Sequence, residues 1–278
     1  MTELPLHIQR AARRYEAITV DGLTLYPVRV AEYDEFLMAR PALEVLQQSF
    51  PVALMSMPLL SACYRMDLDE IAAGRPSAGL FSRALLGLAL SLRLGEGESV
   101  EKRVRAFRVV VDREDARKLR ELRFTLNGEE LCRITPVQYR ELRQIMALQN
   151  GVKLESDHAD PELVRAEKEI AAQSAARLDT GVEHLISSVA ALTGAEETEI
   201  DDWPILKLQN RADALKRAMD YTICGVAQLQ GTKWKGGNPS PHPFFERIPE
   251  TRAGISDLES FAGGAGARAM ENVGRTTT

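Results

Sequence analysis

The succession of apolar and polar positions divides the chain into a first half of mixed strands and helices and a second half of helices alone. Residues 18–30, ITVDGLTLYPVRV, contain two β-branched and aliphatic runs joined by Asp21-Gly22. That dipeptide supplies the positive φ angles of a type I′ hairpin turn. Pro27 has no N–H to give to a ladder, so the second run belongs at a sheet edge. A helix is predicted from about Ala31 through AEYDEFLMARPALEVLQQSF, with Pro41 as a break. DLDEIAAGRP reads as a short helix ending at Gly74, and an apolar helix follows from about Ser77 to Leu94, stopped by Gly95 and Gly97. Next come a strand, RAFRVVVD, a polar turn of helix, REDARKLREL, and a second hairpin, RFTLNGEELCRIT, on Asn127-Gly128. Thr135 and Pro136, suited to N-cap and N1, open a helix that closes at Asn150-Gly151.

The two hairpin-plus-helix units agree in spacing. Gly22 precedes Tyr33, and Gly128 precedes Tyr139, by eleven positions; Val28 and Ile134 match six after each glycine, Glu35 and Glu141 thirteen after. An internal duplication would explain this, and so would the frequency with which unrelated hairpins lead into helices.

Beyond the polar link ESDHADPE the period becomes helical throughout: PELVRAEKEIAAQSAARLD, GVEHLISSVAALTG, then TEIDDWPILKLQNRADALKRAMDYTICGVAQLQG. In the last segment Ile205, Leu208, Ala212, Leu215, Ala218 and Met219 form one helical stripe. The expected class is α+β: a small β-hairpin/helix N-terminal half, a mostly α-helical C-terminal half, and a flexible tail. The expected domains are 1–153, with two hairpin-plus-helix units, and 160–250, helical and ending in a Pro/aromatic segment. Residues 251–278, with AGGAGARA, have the composition of a disordered tail.

Composition narrows the function. The 278 residues carry a net charge of −5, which argues against a protein built to grip nucleic acid. The longest apolar run, AGLFSRALLGLALSLRLG, is interrupted by Arg83 and is too short for a membrane span. MTELPLHIQRAARRYEA lacks the apolar core of a signal peptide, so a cytoplasmic location is expected. Cys63, Cys132 and Cys224 lie far apart in apolar segments, without CxxC or zinc spacing, and read as small buried residues.

Catalytic chemistry finds no foothold. His7, His158, His184 and His242 stand in no recognisable catalytic sequence. Asp157-His158-Ala159-Asp160 is a linear cluster without a second ligand group. GGAGAR lacks the strand before it and the helix after it that a phosphate loop needs. Asp201-Asp202 read as acids stabilising the entry of the next helix. The expectation is a non-enzyme, with no catalytic, metal or cofactor-binding residues.

One stretch stands apart. GTKWKGGNPSPHPFFE, residues 231–246, follows the last helix with three prolines and three aromatic rings. Proline-rich backbone is already extended and loses little entropy on docking. Lys233, Trp234, Lys235, Phe244 and Phe245 are therefore the candidate partner-binding residues, with Trp234 and the phenylalanines as anchors. The rings could equally fold back as a staple on the helical domain. Stacking of Lys233-Trp234-Lys235 on single-stranded nucleic acid has only one aromatic to support it.

TLYPVRVAEYDEFL, LTGAEETEIDDWPILKLQNRADAL and GTKWKGGNPSPHPFF together resemble the tail-assembly proteins encoded near the tape-measure gene of long-tailed phages and prophages. The resemblance covers much of the chain in layout and these stretches in wording. It implies a non-enzymatic chaperone in the host cytoplasm that coats the tape-measure helix, keeps it soluble, helps recruit tail-tube subunits, and leaves before the tail matures. The alternatives are a minor structural tail or adaptor component of the virion, and an enzyme of unrecognised type.

Overall fold

The structure, a computed structural model, describes residues 4–155, 160–174, 181–233 and 238–240. The chain divides into two units, residues 1–213 and 214–278. The described residues have the α+β class that the periodicities predict, with two small antiparallel sheets among helices.

Unit 1 opens with α1 (Leu6–Arg13) and a hairpin of β1 (Ile18–Val20) and β2 (Leu23–Leu25). Asp21 and Gly22 both take positive φ, 48° and 76°, as a type I′ turn requires. After β2 the backbone is held by two other elements: Tyr26 N–H donates to the Ser91 carbonyl, and Val28 N–H to the Asn150 side chain.

Helix α2 (Tyr33–Glu44) runs straight through Pro41, where a break was expected. Its apolar side, Phe36, Ala39, Ala42 and Leu43, is buried against α5 (Leu80–Ser91), and Arg83 donates to the Met38 carbonyl at 3.1 Å. Tertiary packing here outweighs the local cost of proline. Between them lie α3 (Val52–Met55) and α4 (Leu59–Ala72). Helix α4 is longer than the short helix read from DLDEIAAGRP and begins after Pro58. Its buried Asp67 accepts from Ser77 Oγ at 2.8 Å and from the Phe81 N–H at 2.9 Å, so one carboxylate secures the entry of α5.

Helix α6 (Val100–Arg105) leads into a three-stranded sheet in the order β3 (Phe107–Val111), β4 (Leu119–Leu126), β5 (Glu129–Ile134). The polar turn of helix expected over REDARKLREL is absent. Asp112 and Asp115 instead accept the N–H groups of Glu114 and Arg117, and these local turns bring β4 back beside β3. The Asn127-Gly128 hairpin has φ of 52° and 86°, again type I′.

Helix α7 (Gln138–Gln149) begins with a capping box: Thr135 Oγ1 accepts the Gln138 N–H, and Gln138 Oε1 accepts the Thr135 N–H. Ile134, Tyr139, Leu142, Ile145 and Met146 are all buried in the core that α2, α4 and α5 share. The second half of unit 1 adds α8 (Pro161–Ser174), α9 (Val182–Thr193) and α10 (Glu197–Asp201), followed by the start of α11 (Ile205–Leu229). Unit 2 contains the rest of α11 and residues 238–240 among its described parts. Residues 251–278 and the link residues 156–159 lie outside the described residues.

Candidate functional site

The site is built on α11, and its first turn explains its stability. The Trp203 carbonyl accepts the Val30 N–H at 2.8 Å, and the Ile205 N–H donates to the Val28 carbonyl at 3.0 Å. This antiparallel bridge carries Trp203, Ile205 and Leu208 into burial, at roughly 1.5–3 kcal/mol for each aliphatic side chain. Lys207 lies 3.7 Å over the Trp203 ring, where burial lowers its pKa despite the attraction of Glu199. Asp201 and Asp202 do not cap α11, contrary to expectation: they sit exposed at the end of α10, and Pro204 separates them from Ile205.

From Leu215 onward the helix changes character. Met219 is 52% exposed, Ile223 61%, Val226 49% and Leu229 90%. These four fall on one side of the helix by spacing. Thr222 joins them with its hydroxyl already donated to the Ala218 carbonyl at 2.9 Å, which leaves its methyl to the surface. Helix α11 then ends in a Schellman motif. Gly231, φ +88°, sends its N–H to the Gln228 carbonyl, and the Thr232 N–H reaches the Ala227 carbonyl.

Past the cap, Asn238 donates to Gln228 Oε1 at 2.9 Å and accepts the Ser240 N–H. An open groove of about 540 Å³ results, lined by Tyr221, Thr222, Gly225, Val226, Leu229 and Asn238. Lys233 is exposed just beyond the helix end. Trp234, Lys235, Phe244 and Phe245, the other partner-binding candidates, lie outside the described residues. The sequence reading stopped the stripe at Met219 and missed Ile223, Val226 and Leu229. Continuing the same period would have found them, because Gly225 and Thr222 interrupt composition without interrupting spacing.

A second hollow, also about 540 Å³, lies in unit 1 between the start of α4 and the start of α7. Met55, Met57, Pro58, Pro136 and Val137 give it an apolar lining, and Arg140 reaches its edge. Its other arginine, Arg143, is committed to structure, donating to the Leu43 and Val45 carbonyls at 2.7 Å each.

Two of the three thiols, Cys63 and Cys132, are unsuited to nucleophilic work. Burial, aided by the nearby Asp67 carboxylate, pushes Cys63 up to about 12, and burial pushes Cys132 up to about 11. The Tyr139 hydroxyl is buried without a hydrogen-bond partner, and desolvation raises its pKa as well. His7 and His184 are exposed on α1 and α9, while His158 and His242 lie outside the described residues. Among the described residues no three His, Cys, Asp or Glu side chains gather where a metal ion would fit. No helix among them is long and apolar enough to cross a membrane.

Comparison with protein-family models, curated proteins and solved structures found no match to this chain.

Proposed function

We propose that this protein is a non-enzymatic tail-assembly chaperone of a long-tailed phage or prophage, holding the tape-measure polypeptide in the host cytoplasm during assembly. The observation that carries the reading is the exposed apolar side of α11, from Met219 to Leu229. An apolar helical side suits another amphipathic helix, which docks through residues spaced three and four apart. Tape-measure chains are long and helical, and would present such residues repeatedly. The net charge of −5 keeps a loaded complex dispersed.

No bond is made or broken in this scheme. Burial keeps the Cys63 and Cys132 thiols protonated through the physiological range, which supports a packing role for these two residues. Lys233, Trp234, Lys235, Phe244 and Phe245 follow the helix in sequence and supply further anchors for the same partner.

Co-expression with a tape-measure fragment tests the reading. The two chains are expected to co-elute and the fragment to stay soluble, while mass spectrometry of purified particles finds none of this protein. A stoichiometric amount in mature particles would assign it to the virion structure instead, and aggregation of the fragment alongside unbound chaperone would sink the proposal.

A further inference from the structure

The apolar positions of α11 repeat with alternating steps of three and four. Ile205, Leu208, Ala212, Leu215, Met219, Thr222, Val226 and Leu229 occupy successive a and d places of a heptad pattern that runs the length of the helix. A strict three–four alternation defines the narrow seam of a left-handed coiled coil, distinct from the wider face that packs into a globular core. Ile205 and Leu208 are buried within unit 1, whereas Met219, Val226 and Leu229 are exposed. The seam from Leu215 to Leu229 is therefore about 21 Å long, two heptads of partner helix.

The positions beside a seam choose its partner. In the same register Arg211 stands at g just before the exposed seam; within the seam Lys216 stands at e, Ala218 and Gly225 at g and the exposed Ile223 at e, with no acid at any e or g place of the helix. Residues 205–233 carry five basic side chains against two acidic ones, Asp213 and Asp220, within a chain that is acidic as a whole. A second copy in parallel register would set Arg211 against the other copy's Lys216, and an antiparallel copy would likewise find no carboxylate at its flanks. Like charges there are unfavourable, and opposite ones are favourable.

We infer that the distal seam of α11 is a half coiled coil whose occupant is a heptad-patterned helix with glutamate or aspartate at its e and g positions. The inference rests on the reading that α11 takes a polypeptide partner, and it names the chemistry of that partner. Shape and charge each exclude something: the heptad spacing selects a helix, and Lys216 beside the seam, with the basic excess of residues 205–233, selects its acidic form. An anionic membrane surface would also attract the basic residues. It would favour a broad apolar face, however, and the acids Asp213 and Asp220 at b positions weaken that fit.

The test uses the full chain and two synthetic peptides of four heptads (~28 residues), each with Ile at a and Leu at d. One carries Glu at e and g, the other Lys. Fluorescence anisotropy at low salt is expected to show the Glu peptide binding roughly tenfold tighter, with the difference shrinking at 1 M NaCl. Lys216→Glu should narrow or reverse the preference, and the double variant Met219→Asp with Val226→Asp should abolish binding of both peptides. Both substituted positions are exposed, so circular dichroism should report an unchanged helix signal in each variant. Equal binding of the two peptides, or none, overturns the inference. So does self-association of the free chain through Met219 and Val226, or capture by phosphatidylglycerol vesicles in preference to the Glu peptide. If the tape-measure fragment still binds the double aspartate variant, the chaperone reading stands and this assignment of its seam falls.

Discussion

The side-chain carbonyl of Asn150 accepts the backbone N–H of Val28 at 2.8 Å, a buried bond between residues 122 positions apart. The same side chain donates to the Met146 carbonyl at 2.7 Å, one turn back along α7. Asn150 thus ends its own helix and ties down the strand exit of the first hairpin. Beside it, Gln149 donates to the Glu16 and Leu25 carbonyls, both at 3.1 Å. The end of α7 is the point where the two hairpin-plus-helix units become one core.

Asn150→Leu keeps the branched side-chain skeleton and removes both bonds. The Val28 N–H is then buried without an acceptor, at a cost of about 1–3 kcal/mol. A urea titration should show the midpoint lowered accordingly with an unchanged slope. A midpoint within error of the parent would mean that water reaches Val28.

Gly151 and Gly128 both have positive φ but differ in surroundings. A Cβ at Gly151 would come within 2.9 Å of Leu206 Cδ1 and Gln209 Oε1, whereas one at Gly128 meets nothing within 4 Å. Alanine at Gly128 should cost about 1 kcal/mol, the strain of a left-handed backbone alone. Alanine at Gly151 should cost somewhat more, because the tips of the Leu206 and Gln209 side chains must also turn away. Equal losses would show that those two side chains turn aside at no cost.

Arg103 is buried and holds three things together. It pairs with Glu32 at 3.0 Å, donates to the Leu94 carbonyl at 2.8 Å, and also donates to the Ala89 carbonyl. Glu32→Ala strands that guanidinium, and a loss of roughly 3–5 kcal/mol is expected. Arg103→Lys should fail to preserve stability, since a single ammonium cannot span a carboxylate and two carbonyls in a fixed plane. Thermal unfolding of both variants checks this; a fully stable lysine variant would refute it.

The thiols predict an alkaline limit. Cys63 and Cys132 sit at about 12 and about 11 when folded, against an ordinary value of 9.0, so folding favours their protonated forms. Their contribution is intact below pH 9 and disappears as pH rises through 11 and 12. The urea midpoint should therefore hold from pH 7 to 9 and then decline. At pH 8 a thiol reagent should modify the partly exposed Cys224 first and reach Cys63 only on unfolding. Prompt labelling of Cys63 in the native chain would contradict its burial.

Trp234→Ala and Phe244→Ala separate the anchors chosen from sequence from the stripe on α11. Both should weaken capture of the tape-measure fragment several-fold and leave the far-ultraviolet helix signal intact. Loss of the fold in either variant would make those rings part of the core.

What local chemistry dictates was legible without coordinates. Asp21-Gly22 and Asn127-Gly128 admit the positive φ pair that tight hairpins need, Thr135 suits the N-cap before α7, and Asn150-Gly151 suits its end. Each is a property of two to four neighbouring residues, so sequence alone determined it. Pro41 was misread because its local penalty is outweighed by α2 packing on α5, and REDARKLREL because two aspartates offered turns that a helical period cannot reveal. The Asn150–Val28 bond, the bridge that binds Trp203 to Val30, and the division of α11 into a buried start and an exposed seam join residues far apart in the chain. No local preference specifies such pairings; they exist because burial leaves each N–H, carbonyl and apolar side chain a single place to be satisfied, and only the tertiary structure decides where that is.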